Sequence, residues 1–255
     1  MTGIAAGDGF TVRSYDSVGS TNDLARELAD AGAAAGTLVM AGEQTGGRGR
    51  HGRSWHSPRG NFYGSLILRP TVPLAETATL SLVIGLAVLD AVEAVAGRRL
   101  DLVVKWPNDV LLDGAKLAGI LLEGATDSKG GCAWVIAGVG VNLQHHPDSP
   151  VYPSTSLAEA GVAEASPERF RDAFLAALGK ALPLWERDGF AAFRDRWLAR
   201  AAGLGRPVRL RVGDEVHAGK LADLGLDGSI LIENSAGCLE RFTAGELFFG
   251  AGTSG

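Results

Sequence analysis

Between Gly46 and Arg53 the chain reads Gly46-Gly47-Arg48-Gly49-Arg50-His51-Gly52-Arg53, four glycines and three arginines in one short run. Glycine lets a backbone turn tightly and come close to a ligand. Arginine offers a planar, permanently charged fork that matches carboxylate and phosphate oxygens. Together they describe an anion-binding loop, although a solvated basic surface loop has the same composition. The run holds a literal G-x-G-x-x-G from Gly47 to Gly52. No helical apolar period follows it, and no acidic residue stands at a strand end about 20 positions on, so it is weak as a dinucleotide fingerprint. No G-x-x-x-x-G-K-[ST] phosphate loop occurs anywhere in the chain.

Three further segments carry polar groups that need a reason. Lys105-Trp106-Pro107-Asn108-Asp109 ends a strand in an amide and a carboxylate. Asp109 could hold Mg²⁺, act as a base or accept from a lysine, or it could make an Asx turn. Lys116 opens the apolar run Lys116-Leu117-Ala118-Gly119-Ile120-Leu121-Leu122-Glu123. A lysine is rarely buried unpaired, so Lys116 is either an exposed strand start or a ligand contact. Gly138-Val139-Gly140-Val141-Asn142 alternates glycine within a strand, which signals close approach by another backbone or a ligand, or else a packing reason. Trp55 and Trp106 lie beside the arginine loop and the Asn-Asp turn, whereas Trp134, Trp185 and Trp197 read as core. His145-His146 has no third ligand at metal spacing, so no dedicated protein metal site is expected. Cys132 and Cys238 form no CxxC pair and read as buried free thiols. No Ser/His/Asp set or nucleophilic cysteine stands out.

Regular elements must position these groups. Ser20 to Ala31 reads as a helix, with cap candidates Ser20, Thr21, Asn22 and Asp23 and with Leu24 and Leu28 on one face. Thr37 to Ala41 and Phe62 to Leu68 read as strands on either side of the loop Gln44 to Arg59. Glu76 to Ala96 reads as a long core helix. Leu102 to Trp106, Lys116 to Glu123 and Ala133 to Leu143 read as strands, the first two flanking a turn with Pro107-Asn108-Asp109 and Asp113-Gly114. Gln144 to Ser156, with three prolines, reads as a long loop of the kind that is often functional. Pro167 to Trp185 and Phe190 to Arg200 read as helices, and the first 14 residues as an exposed lead-in or edge strand. From Pro207 to Phe249 short alternating runs with turns at Gly213-Asp214, Asp227-Gly228 and Ala236-Gly237 describe a small all-β module compatible with a barrel. The boundary falls near Gly203 to Arg206, which divides the chain into 1–203 and 204–255.

A chain of 255 residues has room for one large and one small domain. With 46% hydrophobic and 21% charged residues it is not disordered, collagen-like or disulfide-built. A net charge of -5 argues against bulk attraction to nucleic acid or anionic lipid, so any basic patch must be local. The N-terminus lacks the basic and apolar regions of a signal peptide. Leu80 to Ala96 is interrupted by Asp90 and Glu93 and is too short to span a membrane. With its free thiols, the chain is expected in the cytoplasm, with neither nucleic acid nor membrane as a partner.

The segments resemble, in order and spacing, the catalytic domain of biotin protein ligases. The matching residues are Ser20-Thr21-Asn22, Gln44, the run Gly47 to Trp55, Lys105 to Asp109, Lys116 to Leu121, and Gly138 to Asn142. The resemblance runs from about Tyr15 to Glu246. It implies an α+β fold, a central mixed β-sheet with flanking helices related to class II aminoacyl-tRNA synthetases, followed by a small SH3-like barrel. It implies ATP and Mg²⁺ as co-substrate and metal and biotin as substrate. Biotinyl-5′-AMP and pyrophosphate would form first, and the biotinyl group would then pass to one lysine of a biotin carboxyl carrier protein. By the same resemblance Ser20, Thr21, Asn22, Gln44, Arg48, Gly49, Arg50, Lys116, Gly119, Gly138 and Gly140 would bind biotin. Arg50, Arg53, Trp55, Asn108, Lys116 and Asn142 would bind ATP or the adenylate. Lys116, Arg50, Arg53 and Asp109 would act in catalysis. Family members that also repress biotin genes carry a winged helix before this region. Only 19 residues precede Ser20 here, so the ligase-only form, monomer or homodimer, is expected.

Two steps place different demands on these groups. Biotin's carboxylate is already ionised, so its attack on the α-phosphorus needs charge neutralised rather than a base, a task for Lys116, Arg48, Arg50, Arg53 and Mg²⁺. The acceptor lysine, with an ordinary pKa of about 10.4, must lose a proton, and Asp109 is the candidate to position or deprotonate it. A lipoate ligase would share the fold and the adenylation chemistry, but its glycine-rich motif differs. A nucleic-acid-binding module lacks a basic stripe with interleaved aromatics. A catalytically dead biotin sensor would not need Lys116, Asp109 and all three loop arginines intact.

Overall fold

Period-two alternation sorts the strand residues between two faces of one sheet. The computed structural model describes residues 3–6, 9–148 and 153–249. The strands are β1 (Gly3–Ala6), β2 (Phe10–Val18), β3 (Thr37–Gln44), β4 (Phe62–Leu68), β5 (Leu102–Lys105), β6 (Asp109–Leu112), β7 (Ala115–Thr126) and β8 (Cys132–Val141). They form an eight-stranded sheet in the order β1-β2-β3-β4-β8-β7-β6-β5. Only β2 and β3 pair in parallel, so the sheet is mixed. Leu38, Met40, Leu66, Val135, Ala137 and Val139 pack with the helices α2 (Leu80–Ala96) and α3 (Pro167–Asp188) on one face. The alternate residues Val39, Ile67, Trp134 and Ile136 pack with Ala25 and Ala29 of α1 (Thr21–Asp30) on the other.

Residues Leu74–Ala96 are apolar enough to cross a membrane by composition, yet most of that stretch is buried in this fold. A helix that is apolar on every side is expected between two packed layers, and α2 lies between the sheet and α3.

Of the two readings of the first 14 residues the edge strand is the one met, with β1 at the sheet edge and paired with β2. Several local expectations change. The long helix begins at Leu80, preceded by a 3₁₀ segment at Leu74–Thr79. The expected turn between Leu102–Trp106 and Lys116–Glu123 contains strand β6, so Asp109 opens a strand rather than sitting in a turn. A four-residue strand flanked by Pro, Asn, Asp and Gly gives too short an alternation to stand out. Cys238 is exposed and Cys132 half-buried, so the thiols are free but not both buried. Of the expected loop Gln144 to Ser156, residues 149–152 lie outside the described residues.

After α4 (Ala191–Ala199) come β9 (Pro207–Val212), β10 (Glu215–Leu224), β11 (Ile230–Glu233), β12 (Leu239–Phe242) and β13 (Glu246–Phe249). They form a second, antiparallel sheet in the order β12-β11-β10-β9-β13. The end strands β12 and β13 are not paired with each other among the described residues, so this sheet is open rather than a closed barrel. Val208, Leu210, Leu221, Ile230 and Leu247 join the same core cluster as the main sheet. Trp106 Nε1 donates to Gly228 O at 2.9 Å, which fastens the β10–β11 turn to the end of β5.

Candidate active site

Cross-strand pairing builds the floor of a cleft from glycines. Tyr63, Gly140 and Gly119 pair in one row across β4, β8 and β7, and Ser65, Gly138 and Leu121 pair in the next. Paired residues share a face of the sheet, here the α1 face. A Cβ on Gly140 would stand 2.6 Å from the Trp55 indole, and one on Gly138 would stand 2.1 Å from Asn22 Oδ1. Of the readings of the alternating glycines, side-chain packing is met directly: Trp55 and Asn22 rest on the strand. Above this floor lies a cleft of about 1080 Å³. Every expected site residue lines it: Ser20, Thr21, Asn22, Gln44, Arg48, Gly49, Arg50, Arg53, Trp55, Asn108, Asp109, Lys116, Gly119, Gly138, Gly140 and Asn142.

One end of the cleft is polar and neutral. Ser20 caps α1, its Oγ accepting from Asp23 N at 3.4 Å, which brings Thr21 and Asn22 to the start of the helix. Thr21 N donates to Gln44 Oε1 at 2.8 Å, and Thr21 Oγ1 lies 3.0 Å from the same oxygen. Gln44 Nε2 donates to Ser57 Oγ at 3.0 Å, whose hydroxyl donates to Trp55 O at 2.9 Å. Amide and hydroxyl groups held this way can both donate and accept.

The other end is cationic. Lys116 Nζ lies 2.6 Å from Asp109 Oδ1, an ion pair by distance that lacks hydrogen-bond geometry. The same ammonium stands 5.3 Å from the centre of the Trp55 ring, within cation–π range. Asn108 Nδ2 donates to Ile120 O at 2.8 Å, and Arg50 Nη1 donates to Asn108 Oδ1 at 3.3 Å and to Gly245 O at 3.4 Å. Burial holds the Arg50 pKa below its ordinary value, opposed by the Asp109 and Glu246 carboxylates. Arg48 lies instead beside the neutral end, paired with Asp23 at 2.7 Å and Glu123 at 3.2 Å, whereas Arg53 pairs with Glu246 at 2.5 Å. Two of the loop arginines are thus neutralised by carboxylates, while Arg50 rests on neutral acceptors.

Sequence reasoning missed part of the cationic end. Lys105 lines the cleft beneath Phe248 and Phe249, with Nζ 5.9 Å and 5.6 Å from the ring centres. Burial lowers its pKa, partly offset by Asp109. Arg209, Arg211 and Glu246 reach the cleft from the C-terminal sheet. Glu246 accepts from both guanidinium nitrogens of Arg53, at 2.5 Å and 2.8 Å, and from Arg211 Nη2 at 2.6 Å. Lys105 belonged to a segment already singled out; the other three follow only from the second sheet folding back over the first.

Among the described residues two buried polar atoms in this cleft, Trp55 Nε1 and Asn142 Oδ1, have neither a hydrogen-bond nor an ion-pair partner. Buried polar atoms are normally satisfied, so such orphans mark a place where a ligand can complete the bonding. Asn142 itself is fixed, its Nδ2 donating to Thr155 O at 3.1 Å. Among the described residues no group of three or more His, Cys, Asp or Glu side chains is placed to hold a metal ion.

Residues 15–142 match the family model of the biotin/lipoate A/B protein ligase family. The chain is 40% identical over 237 residues to the biotin–[acetyl-CoA-carboxylase] ligase of Paracoccus denitrificans, covering 91% of this chain and 97% of that one. Among solved structures it is similar to the biotin protein ligase of Aquifex aeolicus in complex with biotin and ATP, with a TM-score of 0.76, 28% identity, and coverage of 93% and 97%. It is also similar to the biotin protein ligase of Leishmania major in complex with biotinyl-5-AMP, with a TM-score of 0.64, 26% identity, and coverage of 91% and 98%.

Proposed function

This chain belongs to the biotin/lipoate A/B protein ligase family, and on that premise we propose that it is an ATP-dependent biotin protein ligase. The observation that carries the reading is one cleft whose neutral donor–acceptor end, at Thr21, Asn22 and Gln44, leads into a cationic end at Lys116, Arg50 and Lys105. The neutral end suits a urea, which offers one carbonyl and two N–H groups. The cationic end suits a carboxylate meeting a triphosphate.

In the first step a carboxylate oxygen of biotin bonds to the α-phosphorus of ATP, and the bond to pyrophosphate breaks. Lys116, held beside Asp109 and Trp55, faces the developing charge, with Arg50 and Lys105 on the phosphates. Fixed positive groups in a water-poor cleft stabilise such charge most effectively. Trp55 and Asn142 carry the adenylate end, their unpaired Nε1 and Oδ1 completing the contacts. The donor set fits Mg²⁺ as an ion carried on the nucleotide phosphates, because Mg²⁺ retains waters and needs few protein ligands. Asp109 and Glu246 are the nearby carboxylates, and Mg²⁺ would neutralise phosphate charge there.

In the second step the amine of an acceptor lysine bonds to the acyl carbon of biotinyl-5′-AMP and AMP departs. Asp109 orients the incoming ammonium or takes its proton. The acceptor is a biotin carboxyl carrier protein and the setting cytoplasmic. Residues 1–203 form the catalytic domain, of the class II synthetase-like type. Residues 204–255 form an SH3-like module that closes the phosphate end.

The test is biotin-dependent exchange of labelled pyrophosphate into ATP, with lipoate as parallel substrate and Lys116→Ala as control. Exchange with biotin alone, lost in the variant, supports the reading. Exchange with lipoate alone, or none with folded protein and Mg²⁺, overturns it.

A further inference from the structure

Behind the neutral end of the cleft lie two residues that do not line it, Glu123 of β7 and Ser65 of β4. Glu123 presents its two carboxylate oxygens to different partners. Oε2 accepts from Asn22 Nδ2 at 2.9 Å, and Oε1 lies 3.2 Å from Arg48 Nη2. Ser65 is fully buried, and its Oγ lies 2.6 Å from Asn22 Oδ1 and 2.8 Å from Thr21 Oγ1. Gly138 makes the room for this amide, since a Cβ there would collide with Asn22 Oδ1.

These contacts have a direction. An ionised carboxylate only accepts, so the face of the Asn22 amide toward Glu123 must be its NH₂. The oxygen is thereby turned to Ser65, whose hydroxyl can donate. A buried amide with both orientations open would offer a ligand two opposite patterns of donor and acceptor. The Glu123 carboxylate removes that freedom.

We infer that Glu123 and Ser65 are positioning residues that lock the Asn22 amide in one orientation and so set the cleft's preference for a urea carbonyl over an imino or other donor group in its place. The inference rests on the ligase reading for its substrate. It also follows from the geometry that Glu123→Gln inverts the lock. The Arg48 guanidinium attracts the carbonyl of the new amide, whose NH₂ then turns to Asn22 and calls for the Asn22 oxygen.

The experiment compares biotin with 2-iminobiotin, in which the urea oxygen is replaced by an imino nitrogen, in the intact protein. Affinities are read by calorimetry and KM values by pyrophosphate exchange. Glu123→Gln is expected to raise the KM for biotin about tenfold or more, to leave the KM for ATP within about twofold, and to lower the biotin-to-iminobiotin preference at least about fivefold. Ser65→Ala, a small change in volume, is expected to move the same quantities in the same direction. Asp23→Asn removes the other carboxylate on Arg48 without touching Asn22, and is expected to keep the preference of the parent protein. The inference is overturned if both variants keep the parent preference, if both KM values rise together with a lowered melting point, or if Asp23→Asn shifts the preference as Glu123→Gln does. A parent protein that binds biotin without exchange overturns the ligase reading alone, and the calorimetric comparison still decides the lock. A parent protein that does not bind biotin overturns both.

Discussion

Lys116 and Asp109 meet as an ion pair, Nζ to Oδ1 at 2.6 Å, because β7 carries one extra residue opposite β6. Asp109 pairs with Gly119 and Val110 with Ala118, but Leu111 pairs with Lys116, so Leu117 is the bulged residue. Strict alternation from Gly119 would send Lys116 to the core face. The bulge shifts the parity and returns Lys116 to the cleft, while Leu117 is fully buried. Bulges commonly re-aim a side chain at a site in this way.

The proposed function assigns the two residues to different steps, so their variants should separate. Lys116→Ala is expected to slow pyrophosphate exchange by about 100- to 1,000-fold, the range for losing one donor to developing charge. Asp109→Asn keeps the shape of the pair and is expected to retain exchange within about tenfold while slowing transfer to the acceptor lysine more strongly. Single-turnover transfer from preformed biotinyl-5′-AMP makes the comparison. Equal loss in both assays for Asp109→Asn would remove it from the transfer step.

The glycine floor gives a second separation. Gly138→Ala places a methyl group on Asn22, and Gly140→Ala places one on the Trp55 indole. Overpacking of this kind typically costs about 1–3 kcal/mol. Gly138→Ala should therefore weaken biotin binding first, and Gly140→Ala nucleotide binding first. Calorimetric titration of each ligand tests the assignment, and weakening of the same ligand in both variants would contradict it.

The arginine loop, Lys116 and the Gly138–Gly140 alternation were legible because glycine and charged residues stand out against apolar strands. Strand β4 was legible at its bounds, Phe62 to Leu68, because a continuous apolar run between polar loops admits one reading. Other features depend on register. The bulge at Leu117 leaves no mark in an apolar run, and the Asp109–Lys116 contact depends on it. Ser65 and Glu123 look like an ordinary polar residue in a strand and the polar end of another; only pairing through Gly138 and Ile136 puts them behind Asn22. Glu246 and Arg211 reach the cleft because the second sheet folds back, which no local pattern encodes.

The Asp227 turn predicts an acid-sensitive contact between the two sheets. Burial raises the Asp227 pKa, but hydrogen bonds from Arg241 and Ser229 outweigh it and hold the carboxyl at about 2. In the unfolded chain it titrates near 3.9, the usual aspartate value. A carboxyl depressed by folding stabilises above the unfolded value, and that stability is lost as the pH falls from about 4 toward 2. Asp227 and Arg241 are both more than a third exposed, so solvent screening limits the effect to under about 1 kcal/mol. Since this turn offers Gly228 O to Trp106, Asp227→Asn should flatten the fall in melting temperature over that window. A melting curve that falls as steeply in the variant would place the acid sensitivity elsewhere.

Glu246 ties the second sheet to the arginine loop. It grips Arg53 with both oxygens and Arg211 with one, and Gly245 just before it accepts from Arg50. The strand β13 therefore orders the cationic end of the cleft from the far sheet. Arg53 and Arg211 are each about half exposed, at 48% and 45%, so the pairs contribute little to stability. Their effect lies in where the guanidinium groups stand when a triphosphate arrives. Glu246→Ala is expected to leave the melting temperature and the KM for biotin nearly unchanged and to raise the KM for ATP about tenfold, as an unpositioned arginine loses most of a charge-assisted contact. Steady-state exchange at varied ATP and fixed biotin measures it. A lower KM for ATP would reverse the assignment, because Glu246 would then be a counter-charge that nucleotide must displace rather than a support that readies Arg53 for it.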